Sequence, residues 1–158
     1  MTNSASIRAA KNEDLERMVD LVSRLKRLNG EFDPLLTPVD DLENEVAKYL
    51  QGMMKDSNSV VLVLEDGGKV QGVLTAKLID RCFYKPRLVG QIADVYLMPE
   101  YRRRGMGYKL VAEAEKLLKS KGAEMIFAEF PAKNVIAEGF YRKMGFREIT
   151  EIFAKETQ

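Results

Sequence analysis

Apolar positions along this chain recur with two different periods, and the switches between them mark out the elements. Leu15, Met18, Val19, Val22 and Leu25 follow Asn12 at helical spacing and predict a first helix over about 12–28, capped by Asn12 and stopped by Asn29-Gly30. Glu31 to Pro38 reads as a loop, and Leu42, Val46, Tyr49, Leu50 and Met53 predict a second helix over about 39–54. Val60–Leu64 and Lys69–Ile79 flank Glu65-Asp66-Gly67-Gly68, which predicts a β-hairpin. A loop over Arg81–Arg87 with Pro86 leads to a strand over Val89–Leu97, ended by Pro99.

Strand and helix alternate in the second half. Leu110, Val111, Ala114, Leu117 and Leu118 share one face of a helix that follows Gly107 and ends at Gly122. Met125–Phe130 is a strand stopped by Pro131, Asn134–Met144 a short helix ended by Gly145, and Phe146–Ala154 a last strand. A strand, a helix and a further strand imply a right-handed crossover, so the strands near 89–97 and 124–130 should run parallel. Ligands in such sheets sit at the carboxyl ends of strands, here near Leu97 and Phe130.

Composition narrows the chemistry. At 158 residues the chain fits one domain, 1–158. Lys plus Arg at 25 against Asp plus Glu at 24 creates no bulk field for nucleic acid or membrane. Cys82 is the only cysteine, so an internal disulfide and a thiolate metal cluster are excluded. No start resembling a secretory leader and no membrane-length apolar run is present, and a cytoplasmic location is the expectation. With no histidine, the usual base near neutral pH is missing, no metal site is expected, and proton transfer falls to carboxylates, Tyr, Lys or water.

The sharpest local pattern is Arg102-Arg103-Arg104-Gly105-Met106-Gly107, between a strand and an amphipathic helix. Free N–H groups at a helix start, with the aligned peptide dipoles, can hold a phosphate or pyrophosphate, and arginines add charge-assisted hydrogen bonds. The string is neither a Walker loop nor a dinucleotide fingerprint. Further on, Asn134 and Tyr141 stand seven residues apart, which returns them to within about 20° of one helix face.

The stretch from Ile92 to Leu110 resembles the acyl-coenzyme A loop of the GNAT superfamily of N-acetyltransferases, in which R/Q-x-x-G-x-G/A follows a strand and a Pro-containing turn. Glu129-Phe130-Pro131-Ala132-Lys133-Asn134 and Ala137 to Phe146 are similar to that family's closing strand and its asparagine, tyrosine and glycine-phenylalanine signature. The resemblance covers about residues 89–149 and leaves the first half to shape the acceptor site. It implies a GNAT-like α/β (α+β) fold, a mixed central sheet of about six to seven strands flanked by about four helices. It also implies acetyl-CoA as cosubstrate and an amine as acceptor. The pyrophosphate would lie against Arg102, Arg103, Arg104, Gly105, Met106, Gly107 and Tyr108, with pantetheine along the backbone of Val95, Tyr96 and Leu97 and beside Asn134. Tyr141 would protonate the leaving thiolate.

An alkyl amine must lose its proton before attack, at a cost of about 4.6 kcal/mol at pH 7 for a pKa near 10.4. Glu129 is the first choice of base, directly or through water, and Asp94 is the alternative or an anchor for the ammonium group. Cys82 reads as an inert thiol, since no histidine activates it. Glu31, Asp33, Asp40 and Asp41 can attract a cationic acceptor, and a small amine or polyamine ranks ahead of a protein amine. Two other functions remain open: a noncatalytic acyl-CoA sensor, and a nucleic-acid module built on Arg102–Arg104. A homodimer is the general expectation for assembly.

Overall fold

The hairpin around Gly67-Gly68 forms the middle of the molecule in the computed structural model, which describes residues 5–158. Residues 1–4 of the start, read above for a leader, lie outside the described residues. In chain order come β1 (Ser6–Ala9), α1 (Leu15–Phe32), α2 (Leu42–Lys55), β2 (Ser59–Asp66), β3 (Lys69–Asp80) and β4 (Leu88–Leu97). They are followed by α3 (Met106–Ser120), β5 (Ile126–Ala128) and α4 (Val135–Lys143). The sheet order is β1-β2-β3-β4-β5, antiparallel up to β4, with β5 parallel to β4 as the crossover requires.

Both faces of this sheet are covered, which explains the unbroken apolar run Val60–Leu64. Leu62, Leu64, Leu74 and Ile92 pack on one face against Leu110, Val111, Ala114 and Leu118 of α3. Val61, Val63 and Val73 pack on the other against Met18, Leu21 and Val22 of α1 and Val46, Leu50 and Met53 of α2. Truncating a fully buried leucine such as Leu74 to alanine would cost about 2–5 kcal/mol.

Three expectations are corrected. The first helix does not stop at Asn29-Gly30 but runs to Phe32. Gly30 serves the close approach of the following connector, because a β-carbon there would stand 3.2 Å from both Leu36 O and Pro38 Cδ. Asn12 is not the cap of this helix; it opens a 3₁₀ turn, and the Asp14 carboxylate accepts from the Lys11 amide at 2.7 Å. Finally, Phe146–Ala154 forms no strand, leaving five strands among the described residues instead of six to seven. Phe146, Ile149 and Ile152 recur every third residue, a spacing that cannot hold one face of a strand, and Ile152 and Phe153 are exposed.

Candidate active site

β4 outlasts its partner. The last register pair of β5 is Ala128 with Ile92, followed by one hydrogen bond from Glu129 N to Ile92 O at 3.2 Å. Ala93 is the extra residue of a bulge, since Thr75 pairs with Asp94 and Ala76 with Ile92. From there to Leu97 the strand is paired with β3 alone, so the expected pantetheine edge at Val95, Tyr96 and Leu97 has no β5 register partner. Arg102 Nε donates to the Leu97 carbonyl at 3.0 Å, and its guanidinium lies 5.2 Å from the Tyr96 ring centre. Arg102 thus braces the end of the strand.

α3 begins where the glycine loop ends. Gly105 takes the left-handed conformation at φ 75°, which only glycine adopts freely, and no side chain caps the helix. The first amide to close a full helical turn is Lys109 N, on Gly105 O at 3.1 Å, so the amides before it are available to an anion. Arg103 sits at φ 63°, a conformation that costs an L residue about 1–2 kcal/mol. Arg104 lies 5.5 Å over the Tyr101 ring. The Met106 side chain is buried in the core, which leaves only its amide for a ligand, while Tyr108 is partly exposed and packs 4.9 Å from Phe140.

α4 sets the other wall. Asn134 caps it, its Oδ1 accepting from Ala137 N at 3.0 Å, and only the Nδ2 group remains to donate. Tyr141 is the buried residue of this helix, held among Phe130, Phe140 and Phe146 with ring centres 5.0–5.4 Å apart. Burial first, and the Asp94 charge second, push its phenol well above the ordinary tyrosine range. Among the described residues its hydroxyl has no hydrogen-bond partner.

On the α1 and α2 side of β4, Asp94 has partners that sequence reading missed: Thr75, Tyr49 and Lys26. The Asp94 carboxylate is buried, and its Oδ2 accepts from Thr75 Oγ1 at 2.5 Å and Tyr49 OH at 2.7 Å. Its Oδ1 accepts from Lys26 Nζ at 2.6 Å. Burial and then Asp94 push the Tyr49 phenol up, with a smaller contribution from Glu129. Tyr49 had counted only as part of an apolar stripe, and the signal that could have singled it out is its hydroxyl, which needs a partner when buried.

Glu129 is exposed and its Oε2 accepts from Gln91 Nε2 at 2.6 Å. It shares with Tyr49, Lys48, Gln91 and Ala93 a cavity of about 380 Å³. The structure therefore places Asp94 and Glu129 beside the bulge of β4, with Tyr141 near enough to feel the Asp94 charge. Asp33 pairs instead with Lys133 at 3.7 Å and caps the turn at Pro34, and Asp41 binds Asn44. Cys82 is exposed in the β3–β4 loop.

A family model described as the acetyltransferase (GNAT) family matches residues 9–146. The chain belongs to the GNAT acetyltransferase family. Acetyl transfer from acetyl-CoA is that family's chemistry, as the motifs implied. A glucosamine 6-phosphate N-acetyltransferase of Trypanosoma brucei brucei is 30% identical over 140 residues, 85% of this chain and 90% of its own. An uncharacterized N-acetyltransferase of Methanocaldococcus jannaschii is 27% identical over 100 residues, 63% of this chain but only 44% of its own. The chain thus spans less than half the length of that relative. The GCN5-related N-acetyltransferase from Ralstonia eutropha JMP134 superposes with a TM-score of 0.79 at 20% identity, covering 96% of this chain and 98% of that one. Aminoglycoside N-acetyltransferase AAC(6')-Iy in complex with CoA gives 0.77 at 15% identity, covering 100% and 97%. At such identities the two structures establish a shared GNAT fold. Among the described residues no helix is long and apolar enough to cross a membrane.

Proposed function

We propose that this GNAT protein transfers the acetyl group of acetyl-CoA to a small primary amine. The observation that carries the reading is the end of β4 beyond its β5 pairing, lying beside the uncapped start of α3. One offers unpaired backbone to an amide-bearing chain, the other offers N–H groups to a diphosphate, and together they match the two polar parts of acetyl-CoA. When bound, that cosubstrate supplies an activated acetyl thioester.

The chain's own groups then have distinct tasks. Met106, Gly107 and Tyr108 present amides to the pyrophosphate, with Arg103 and Arg104 adding positive charge, and Asn134 Nδ2 donates toward the pantetheine. Glu129 Oε1 or Oε2, held by Gln91, takes the proton from the amine directly or through water. Tyr141 carries its proton at neutral pH, as any tyrosine does, and its hydroxyl donates that proton to the departing thiolate. The cavity of about 380 Å³ beside Glu129 suits a small acceptor. No feature of the site favours a noncatalytic sensor.

Calorimetry with coenzyme A and acetyl-CoA, followed by thiol release with a panel of primary amines, tests the reading. Saturable cofactor binding and amine-dependent thiol release are expected. Failure of either cofactor form to bind the folded protein removes the reading.

A further inference from the structure

The two oxygens of Asp94 are held in unlike ways. Oδ2 is fixed by two hydroxyls of the fold, Thr75 on β3 and Tyr49 on α2. Oδ1 is met by the tip of one long side chain, Lys26, reaching in from α1. The Lys26 side chain is 38% exposed and Asp94 is 0% exposed. No other ion pair engages the Lys26 ammonium among the described residues. Its partly exposed chain has a path into water, whereas the hydroxyl pair cannot leave without unpacking the sheet.

A buried carboxylate stripped of its only cation would be heavily penalised, so Lys26 can depart only if another cation takes its place. A neutral molecule of the same shape cannot make that exchange. A primary ammonium can, because it brings the same charge and the same N–H donors that Lys26 removes. Tyr49, which holds Oδ2, also lines the acceptor cavity with Ala93 and Glu129, so an incoming ammonium would arrive beside the base.

We infer that Lys26 is a resident stand-in for the acceptor: the substrate binds as a primary ammonium cation at Asp94 Oδ1, displacing the Lys26 ammonium into solvent. This rests on the acetyltransferase reading and assigns the acceptor's charge class. Lys26 is then a specificity-determining residue that competes with the substrate from within the protein. A tethered competitor acts at an effective concentration on the order of millimolar, so an acceptor must outbid it, and weak or neutral ligands are excluded.

The test uses n-butylamine as cationic acceptor and n-butanol as its uncharged shape match, with coenzyme A affinity measured in parallel for the wild type, Lys26→Met and Lys26→Arg. For Lys26→Met the KM for n-butylamine falls by about tenfold or more, while inhibition by n-butanol changes less than about twofold. Lys26→Arg keeps the charge, guards against a folding defect, and raises that KM because a guanidinium grips a carboxylate more firmly. A KM that is unchanged in both variants, or that moves in parallel with n-butanol inhibition, overturns the inference, as does coenzyme A binding without n-butylamine turnover in all three proteins. Loss of coenzyme A binding in the wild type would instead overturn the acetyltransferase reading beneath it.

Discussion

Gly107 of α3 abuts Phe140 of α4, so closely that a β-carbon on the glycine would stand 3.3 Å from Phe140 Cε2. The glycine loop and the helix carrying Tyr141 are thereby in direct contact. Alanine is tight here, and its better helix propensity offsets part of the strain. Valine overfills the contact, and Gly107→Val should lower stability by about 1–3 kcal/mol in urea unfolding while reducing kcat, because α4 must shift.

Tyr141→Phe separates chemistry from packing. The ring contacts stay and the removed hydroxyl has no partner among the described residues, so the melting temperature should hold within about 2 °C. Proton donation is lost, and kcat should fall on the order of 10²-fold with coenzyme A affinity unchanged. An unaltered kcat would remove Tyr141 from the reaction.

Glu129→Gln should keep the contact with Gln91 in amide form while removing the proposed base. At pH 7 the rate should drop on the order of 10²-fold. The deficit should shrink as pH rises toward the amine's own pKa of about 10.4, where solvent already supplies neutral acceptor. A pH-independent deficit would assign Glu129 a binding role.

The Arg8 guanidinium, 2.7 Å away, holds the buried Asp14 carboxyl below the usual carboxylate range. A folded-state pKa that is depressed gives stability present above the unfolded value near 3.9 and lost as pH falls through the folded value. Asp14→Asn should therefore cost on the order of 1–3 kcal/mol at pH 7, by urea unfolding, with the gap to wild type narrowing below about pH 4.

Local rules made much of this molecule legible. The Gly67-Gly68 hairpin, the parallel pair β4 and β5 and the short helix opening at Asn134 follow from periodicity and turn chemistry, while α3 starts at Met106, two residues before the expected start beyond Gly107. The cluster around Asp94 was only partly legible, because its members meet across long separations: Lys26, Tyr49 and Asp94 belong to α1, α2 and β4. A helical stripe assigns Tyr49 to packing, and nothing in the alternation of β4 tells that Asp94 points into the protein. Gly30 misled for a related reason, since it answers to a neighbour six residues on and not to the end of its own helix.

β4 has two unlike edges. Its register with β3 runs from Leu88 to Leu97, past the point where β5 gives out, so the edge left over for a ligand is stiffened from behind by the central hairpin. A visitor docking there meets a ribbon already ordered by its pairing with β3 and loses little by ordering it. Substitutions that loosen β2 or β3, remote from any bound molecule, would consequently surface as weaker grip on the cosubstrate before they surfaced as unfolding.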